Sequence, residues 1–174
     1  IAGPSAATIM SDYGAEVIKI EPQKGDSLRN LITNGRMPEG PENYCWELTS
    51  RNKKSVSLNL KDERAHNILI DLIKEADVFI TNMPFPIRKK LKITSDDIRR
   101  HNAKLIYASL TGYGEVGPDA DRTAYDSVAW WARSGLMDFV RPSNNSPVAW
   151  STPGMGDHPT GMALYAAIMT ALFN

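Results

Sequence analysis

The sequence predicts an α/β fold, a parallel sheet with flanking helices, in one domain over residues 1–174. Short β-branched or alternating segments recur along the chain, and stretches with apolar residues at helical spacing separate them. No internal repeat or low-complexity tract interrupts that order. Strands alternating with helices imply parallel pairing through right-handed crossovers.

Small and apolar residues at 5–10 predict a short first helix. A loop through Ala2, Gly3 and Pro4 leads into it, and Gly14 ends it at the position that favours a left-handed backbone. Residues 16–21 alternate and are β-branched, so they read as a strand. The stretch 22–43 is rich in Gly, Pro and Asn and reads as a long loop, which in compact domains is usually functional or disordered. A second strand is expected over 55–60. Asp62 is placed to cap the helix after it, whose apolar face is Ala65, Ile68, Leu69, Leu72 and Ile73. Val78, Phe79 and Ile80 form a third strand, broken by Pro84 and Pro86. A short basic helix over 87–91 follows, then one capped by Thr94 or Ser95 that runs to about Arg100, then a fourth strand over 105–110. Ligands of open parallel sheets bind beyond the carboxyl ends of the strands. Those ends fall at Glu21 and Pro22, Leu60 and Lys61, residues 81–84 and residues 111–114.

With 42% hydrophobic and 23% charged residues, the chain has the make-up of one globular domain with a real core. Its 20 basic and 20 acidic residues cancel, so no bulk charge points to nucleic acid or an anionic membrane. One cysteine, Cys45, excludes an internal disulfide framework and a cysteine-rich zinc site, and fits a reducing, cytoplasmic compartment. The longest apolar run, 162–173, is interrupted by Tyr165 and Thr170 and falls short of the roughly 20 residues of a spanning helix, so it reads as a buried helix. The chain opens on Ile1 and stops directly after that apolar pattern, and is therefore expected to be part of a longer protein.

Arg51, Lys53 and Lys54 put three cations in four residues, with Lys61 at the far end of the next strand and Arg88, Lys89 and Lys90 after the third. Such donors suit nucleotide phosphates, although spacing alone favours a solvated surface. Gly112, Tyr113, Gly114 and Gly117 make a turn after a strand and not a dinucleotide fingerprint, and no phosphate loop is present. His66, His101 and His158 lack metal-ligand spacing. Trp46, Trp130, Trp131 and Trp150 read more readily as core than as a ligand platform. Gly154, Met155, Gly156, Asp157, His158, Pro159, Thr160 and Gly161 are the most informative stretch. Two glycines allow unusual backbone and close approach, and Pro159 belongs in the first turn of a helix. Asp157 then lies at a helix N-terminus, as a simple cap or as a reactive carboxylate.

Several collinear segments resemble the family III (CaiB/BaiF-type) coenzyme A transferases. They are Ala2, Gly3 and Pro4; residues 14–22; Gly25, Asp26 and Arg29; residues 51–61; Ala76, Asp77 and Val78 reaching Asn82; residues 105–114 with Gly117 and Pro118; Ala124, Tyr125 and Asp126; and the Asp157 segment. The resemblance implies a Rossmann-like large domain, incomplete here, with a first strand before Ile1, a small second domain and a C-terminal return belonging to the longer protein. It implies an interlocked homodimer, no metal, no tightly bound cofactor, and coenzyme A with a carboxylic acid as substrates. Asp157 falls on the family's nucleophile, which forms an aspartyl-CoA thioester. Coenzyme A contacts fall on Ile1 and Ala2, Leu58, Lys61, Asn82, Met83 and Pro84, Lys90, and residues 123–126 including Tyr125. Pro22 and Thr123 stand where some members carry a basic residue, which shifts phosphate contacts toward Arg29, Lys53 or Lys54. Met83 stands where an aromatic is common. The related α-methylacyl-CoA racemases carry a histidine where Tyr125 stands, so transferase chemistry is favoured over a racemase, and over a non-catalytic CoA-binding subunit because Asp157 is retained. The Asp157 segment is especially similar to transferases of 2-hydroxy acids such as phenyllactate, with Trp130, Trp131 and Trp150 as candidate walls of an apolar acyl pocket.

Overall fold

The computed structural model describes residues 1–32 and 38–174. Part of the expected loop 22–43 thus lies outside the described residues. The elements run α1 (Ala2–Asp12), β1 (Ile18–Glu21), a 3-10 turn (Ser27–Asn30), α2 (Tyr44–Ser50), β2 (Lys54–Ser57), α3 (Glu63–Glu75), β3 (Val78–Thr81), α4 (Phe85–Lys90), α5 (Ser95–Arg99), β4 (Ile106–Ser109), a π-helix (Asp126–Ala132), α6 (Leu136–Phe139) and α7 (Asp157–Phe173).

All strand pairing is parallel, as alternation with helices requires. The ladders form two pairs, β1 with β2 (Ile18 opposite Lys54) and β3 with β4 (Val78 opposite Ile106). β3 alternates between two cores with the period of a strand. Phe79 packs against a cluster of Leu58, Leu69, Ile70, Ile73, Ile93, Ile98 and Leu105, and stacks on Tyr107 at 5.5 Å. Val78 and Ile80 pack on the other face, against Met10, Ala108 and Ile168. Helices cover both faces, which is why this strand is apolar from Val78 to Ile80.

Several boundaries differ from expectation. Ala2, Gly3 and Pro4 are the first turn of α1 and not a lead-in loop; proline there removes only an N–H that has no helical partner. Gly14 has φ +97° just past the end of α1, as the C′ reading requires. Asp62 caps α3, accepting from the Arg64 and Ala65 amides. The buried face of α3 is Leu69, Ile70 and Ile73, while Ile68 is exposed, so the packed stripe is rotated from the one spacing suggested. The α2 helix was not anticipated from sequence. Asn43 starts it by accepting from the Trp46 amide, and its own amide group donates to the carbonyls of Leu28 and Arg29. Thr94 and Asp97 form a reciprocal capping box on α5.

The α1 and α7 helices cross where Gly161 meets the start of α1. A Cβ on Gly161 would lie 2.8 Å from the Ala2 carbonyl oxygen and from Ser5 Cβ. Glycine in mid-helix sacrifices propensity, and here it brings two helix N-termini together.

Candidate active site

Asp157 is the first residue of α7, and Gly156 precedes the helix without a side-chain cap. The cap reading is therefore replaced. The Ala2 amide of the neighbouring helix instead lies near enough to the half-buried Asp157 carboxylate to favour its charged form. Burial pushes its pKa above the usual value, and the Asp126 carboxylate adds to that; His158 and the Ala2 amide oppose it. Asp126 is held close because its Oδ2 accepts the Gly156 N–H at 3.4 Å. Gly112 lies against the Ala124 methyl, with no room for a Cβ, and this folds the segment leading to Tyr125 and Asp126 back onto the end of β4. On the other side His158 Nδ1 lies 3.2 Å from Ser5 Oγ, and Gly154, at φ +83°, supports the imidazole ring.

A cleft of about 1610 Å³ opens between the two strand pairs and reaches Asp157. Of the residues expected at the site, Ala2, Lys53, Asn82, Met83, Tyr125 and Asp157 share its wall; Arg29, Lys54, Leu58, Lys61 and Lys90 do not. Leu58 is in the core, and Lys61 and Lys90 are exposed. Arg29 makes two hydrogen bonds to Glu21 and stacks 3.8 Å over the Trp46 ring. The basic run does not form one anion cradle. Arg51 pairs with Asp12, Lys54 with Glu16, and Lys53 Nζ donates to the carbonyls of Pro4 and Thr49 at 2.7 and 2.6 Å. Burial, then Lys19 and Arg51, lowers the Lys53 pKa to about 8.

The tryptophans separate. Trp150 is 97% exposed. Trp131 is buried, donates from Nε1 to the Ala149 carbonyl at 2.8 Å, and lies outside the cleft wall. Trp130 alone among the three lines the cleft. Ser5 and the Gly161 crossing were not given roles from sequence, and Asp126 was expected only among the coenzyme A contacts, because their partners are remote along the chain. Among the described residues no group of three His, Cys, Asp or Glu side chains is placed to hold a metal ion, and no helix is long and apolar enough to cross a membrane.

A parallel α/β domain that presents a partly desolvated carboxylate in the wall of a cleft has the form of a ligand-binding domain. The chain belongs to CoA-transferase family III, whose family model matches residues 1–174. It is 40% identical over 173 residues to (R)-2-hydroxy-4-methylpentanoate CoA-transferase of Clostridioides difficile, covering 99% of this chain and 43% of that protein. It is 38% identical to cinnamoyl-CoA:phenyllactate CoA-transferase of Clostridium sporogenes, covering 99% and 42%. The crystal structure of a CAIB/BAIF family protein from Brucella suis superposes with a TM-score of 0.86 at 28% identity, over 99% of this chain and 46% of that one. The chain thus spans less than half the length of these relatives.

Proposed function

We propose that the protein transfers coenzyme A from an acyl-CoA to a carboxylic acid, with Asp157 as the covalent nucleophile. The observation that carries this reading is the Asp157 carboxylate itself: half-buried, raised in pKa by desolvation, and lining the cleft at the start of α7. Removing water from a carboxylate leaves its lone pairs less solvated and more available for attack. The carboxylate adds to the thioester carbonyl of the donor and the C–S bond breaks, giving a mixed anhydride and CoA thiolate. The thiolate then attacks the Asp157 carbonyl carbon and releases the donor acid, leaving an aspartyl-CoA thioester. The acceptor carboxylate attacks that thioester to form a second anhydride. Thiolate attack on its acceptor carbonyl yields the new acyl-CoA and restores Asp157. Each step exchanges one activated acyl bond for another, so neither a metal nor a redox cofactor is needed.

Asn82, Met83, Lys53 and Tyr125 share the wall along which coenzyme A would lie. The named activities of the two clostridial relatives suggest a 2-hydroxy acid as substrate. This reading also takes the chain as most of a large domain. The edges of β1 and β3 that face the cleft carry no ladder partner among the described residues, and one further parallel strand would satisfy them.

The test uses the full-length protein with a panel of acyl-CoA donors, trapped with hydroxylamine or borohydride and mapped by mass spectrometry. Modification at Asp157 and loss of exchange in Asp157→Ala are expected. Undiminished exchange in that variant would sink the reading.

A further inference from the structure

We infer that Trp130 is the residue that selects the acyl group, favouring monocarboxylic acids with a branched or planar apolar side chain. This rests on the covalent reading of Asp157. The indole lies flush against the backbone one residue before that nucleophile: a Cβ on Gly156 would meet Trp130 Cβ, Cγ and Cδ2 at 2.7–2.8 Å. A wall this close to the reacting carboxylate borders the space in which the acyl carbons next to the thioester must sit. It is also rigid. The π-helical turn closes with the Arg133 amide donating to the Val128 carbonyl, and the Trp130 carbonyl accepts from Ser134 Oγ. Trp131 stacks beside Trp130 at 6.0 Å and is itself anchored through Nε1. Extra π-helical residues of this kind are frequent at functional sites.

The charges around this wall point the same way. From Asp126 to Trp130, and from Pro153 to Thr160, the cleft carries the carboxylates of Asp126 and Asp157 and neither lysine nor arginine. A second carboxylate on the acid would meet like charge there, whereas an apolar side chain would gain the area of the indole. Discrimination by such a wall is worth about 10–200-fold per apolar group recognised.

The experiment compares full-length wild type with Trp130→Ala and Trp130→Phe, using one donor and four acceptors: phenyllactate, 2-hydroxy-4-methylpentanoate, lactate and glutarate. The readout is the ratio of kcat/KM for each larger monocarboxylic acid to that for lactate, with trapping of the Asp157 thioester in parallel. Trp130→Ala should lower the ratio at least about tenfold, and Trp130→Phe should keep most of it. A ratio unchanged in Trp130→Ala, or a wild type that prefers glutarate, overturns the role of Trp130 while leaving covalent catalysis intact. Absence of any Asp157 adduct in the wild type would instead remove the reading beneath it. If Trp130→Ala fails to fold, Trp130→Leu supplies the same ratio: a fall supports the role of Trp130, and an unchanged ratio overturns it.

Discussion

Two glutamate–arginine pairs in this domain are mirror images. In the first the anion is buried: Glu21 has 3% of its side chain exposed and Arg29 41%. Glu21 is also saturated, accepting from Arg29 Nε and Nη2, the Asp26 amide and Ser55 Oγ. In the second the cation is buried: Arg88 has 2% exposed and Glu115 44%. Arg88 Nη2 lies 2.6 Å from Glu115 Oε1, while its Nε has no hydrogen-bond partner among the described residues. The lesson is one of asymmetry. A buried charge depends on its exposed partner, but an exposed partner released from a buried charge simply returns to water.

Removing the exposed member of the saturated pair should therefore have the largest effect. Arg29→Met leaves Glu21 buried without its cation, at an expected loss of about 3–5 kcal/mol in urea unfolding. The same change removes a contribution to stability that depends on pH. Arg29 hydrogen bonds hold the Glu21 carboxyl at about 2, below its ordinary 4.5, against the opposing effect of burial. A depressed carboxyl contributes stability that is complete above the unfolded value and is lost as pH falls through the folded one. Glu21 thus supplies on the order of 3 kcal/mol that persists above pH 4.5 and disappears toward pH 2. Stability measured against pH should therefore lose the Glu21 part of its acid limb in Arg29→Met, with the deficit relative to wild type largest above pH 4.5 and closing toward pH 2. A loss below about 1 kcal/mol would show that burial does not govern the pair.

The mirror pair should answer in the opposite order by charge. Glu115→Ala strands the buried Arg88 guanidinium and should cost about 3 kcal/mol, whereas Arg88→Met frees an exposed carboxylate and should cost less than about 1 kcal/mol. Thermal and urea unfolding of both variants tests this, and a larger loss in Arg88→Met breaks the comparison. Asp157 offers the smallest and most local refinement, as a half-buried carboxylate with a like charge beside it. Its pKa is raised, so exchange activity should fall with acid at a pH above that of an ordinary aspartate. Asp126→Asn removes the like charge and should move that limb to lower pH by less than about one unit. A shift to higher pH would assign Asp126 a different role.

Much of the fold was legible along the chain. The alternating strands at β1 and β3, the Asp62 and Thr94 caps and the left-handed Gly14 all rest on interactions within a few residues, which local pattern encodes. The α2 helix was missed because Asn43 starts it while tied to Leu28 and Arg29, fifteen and fourteen residues away. Of the site, Asp157 was legible through its glycine-framed segment and the family pattern, but its role as a cap was not distinguishable from its role in the cleft. The basic run offered phosphate donors as the lesser reading beside a solvated surface because charge is visible in sequence, whereas the carboxylates and carbonyls that occupy Arg51, Lys53 and Lys54 come from elsewhere in the chain.

The sequence by itself determined that strands and helices alternate, which family the chain resembles, and that an aspartate stands at the start of its last helix. Only the tertiary structure decided what that aspartate faces. Gly161 lets α7 approach the start of α1, which brings the Ala2 amide toward Asp157, and Gly156 lets Trp130 lie against the same turn. Both contacts join residues far apart in the chain through the absence of a side chain, and an absent Cβ states no partner until the fold supplies one.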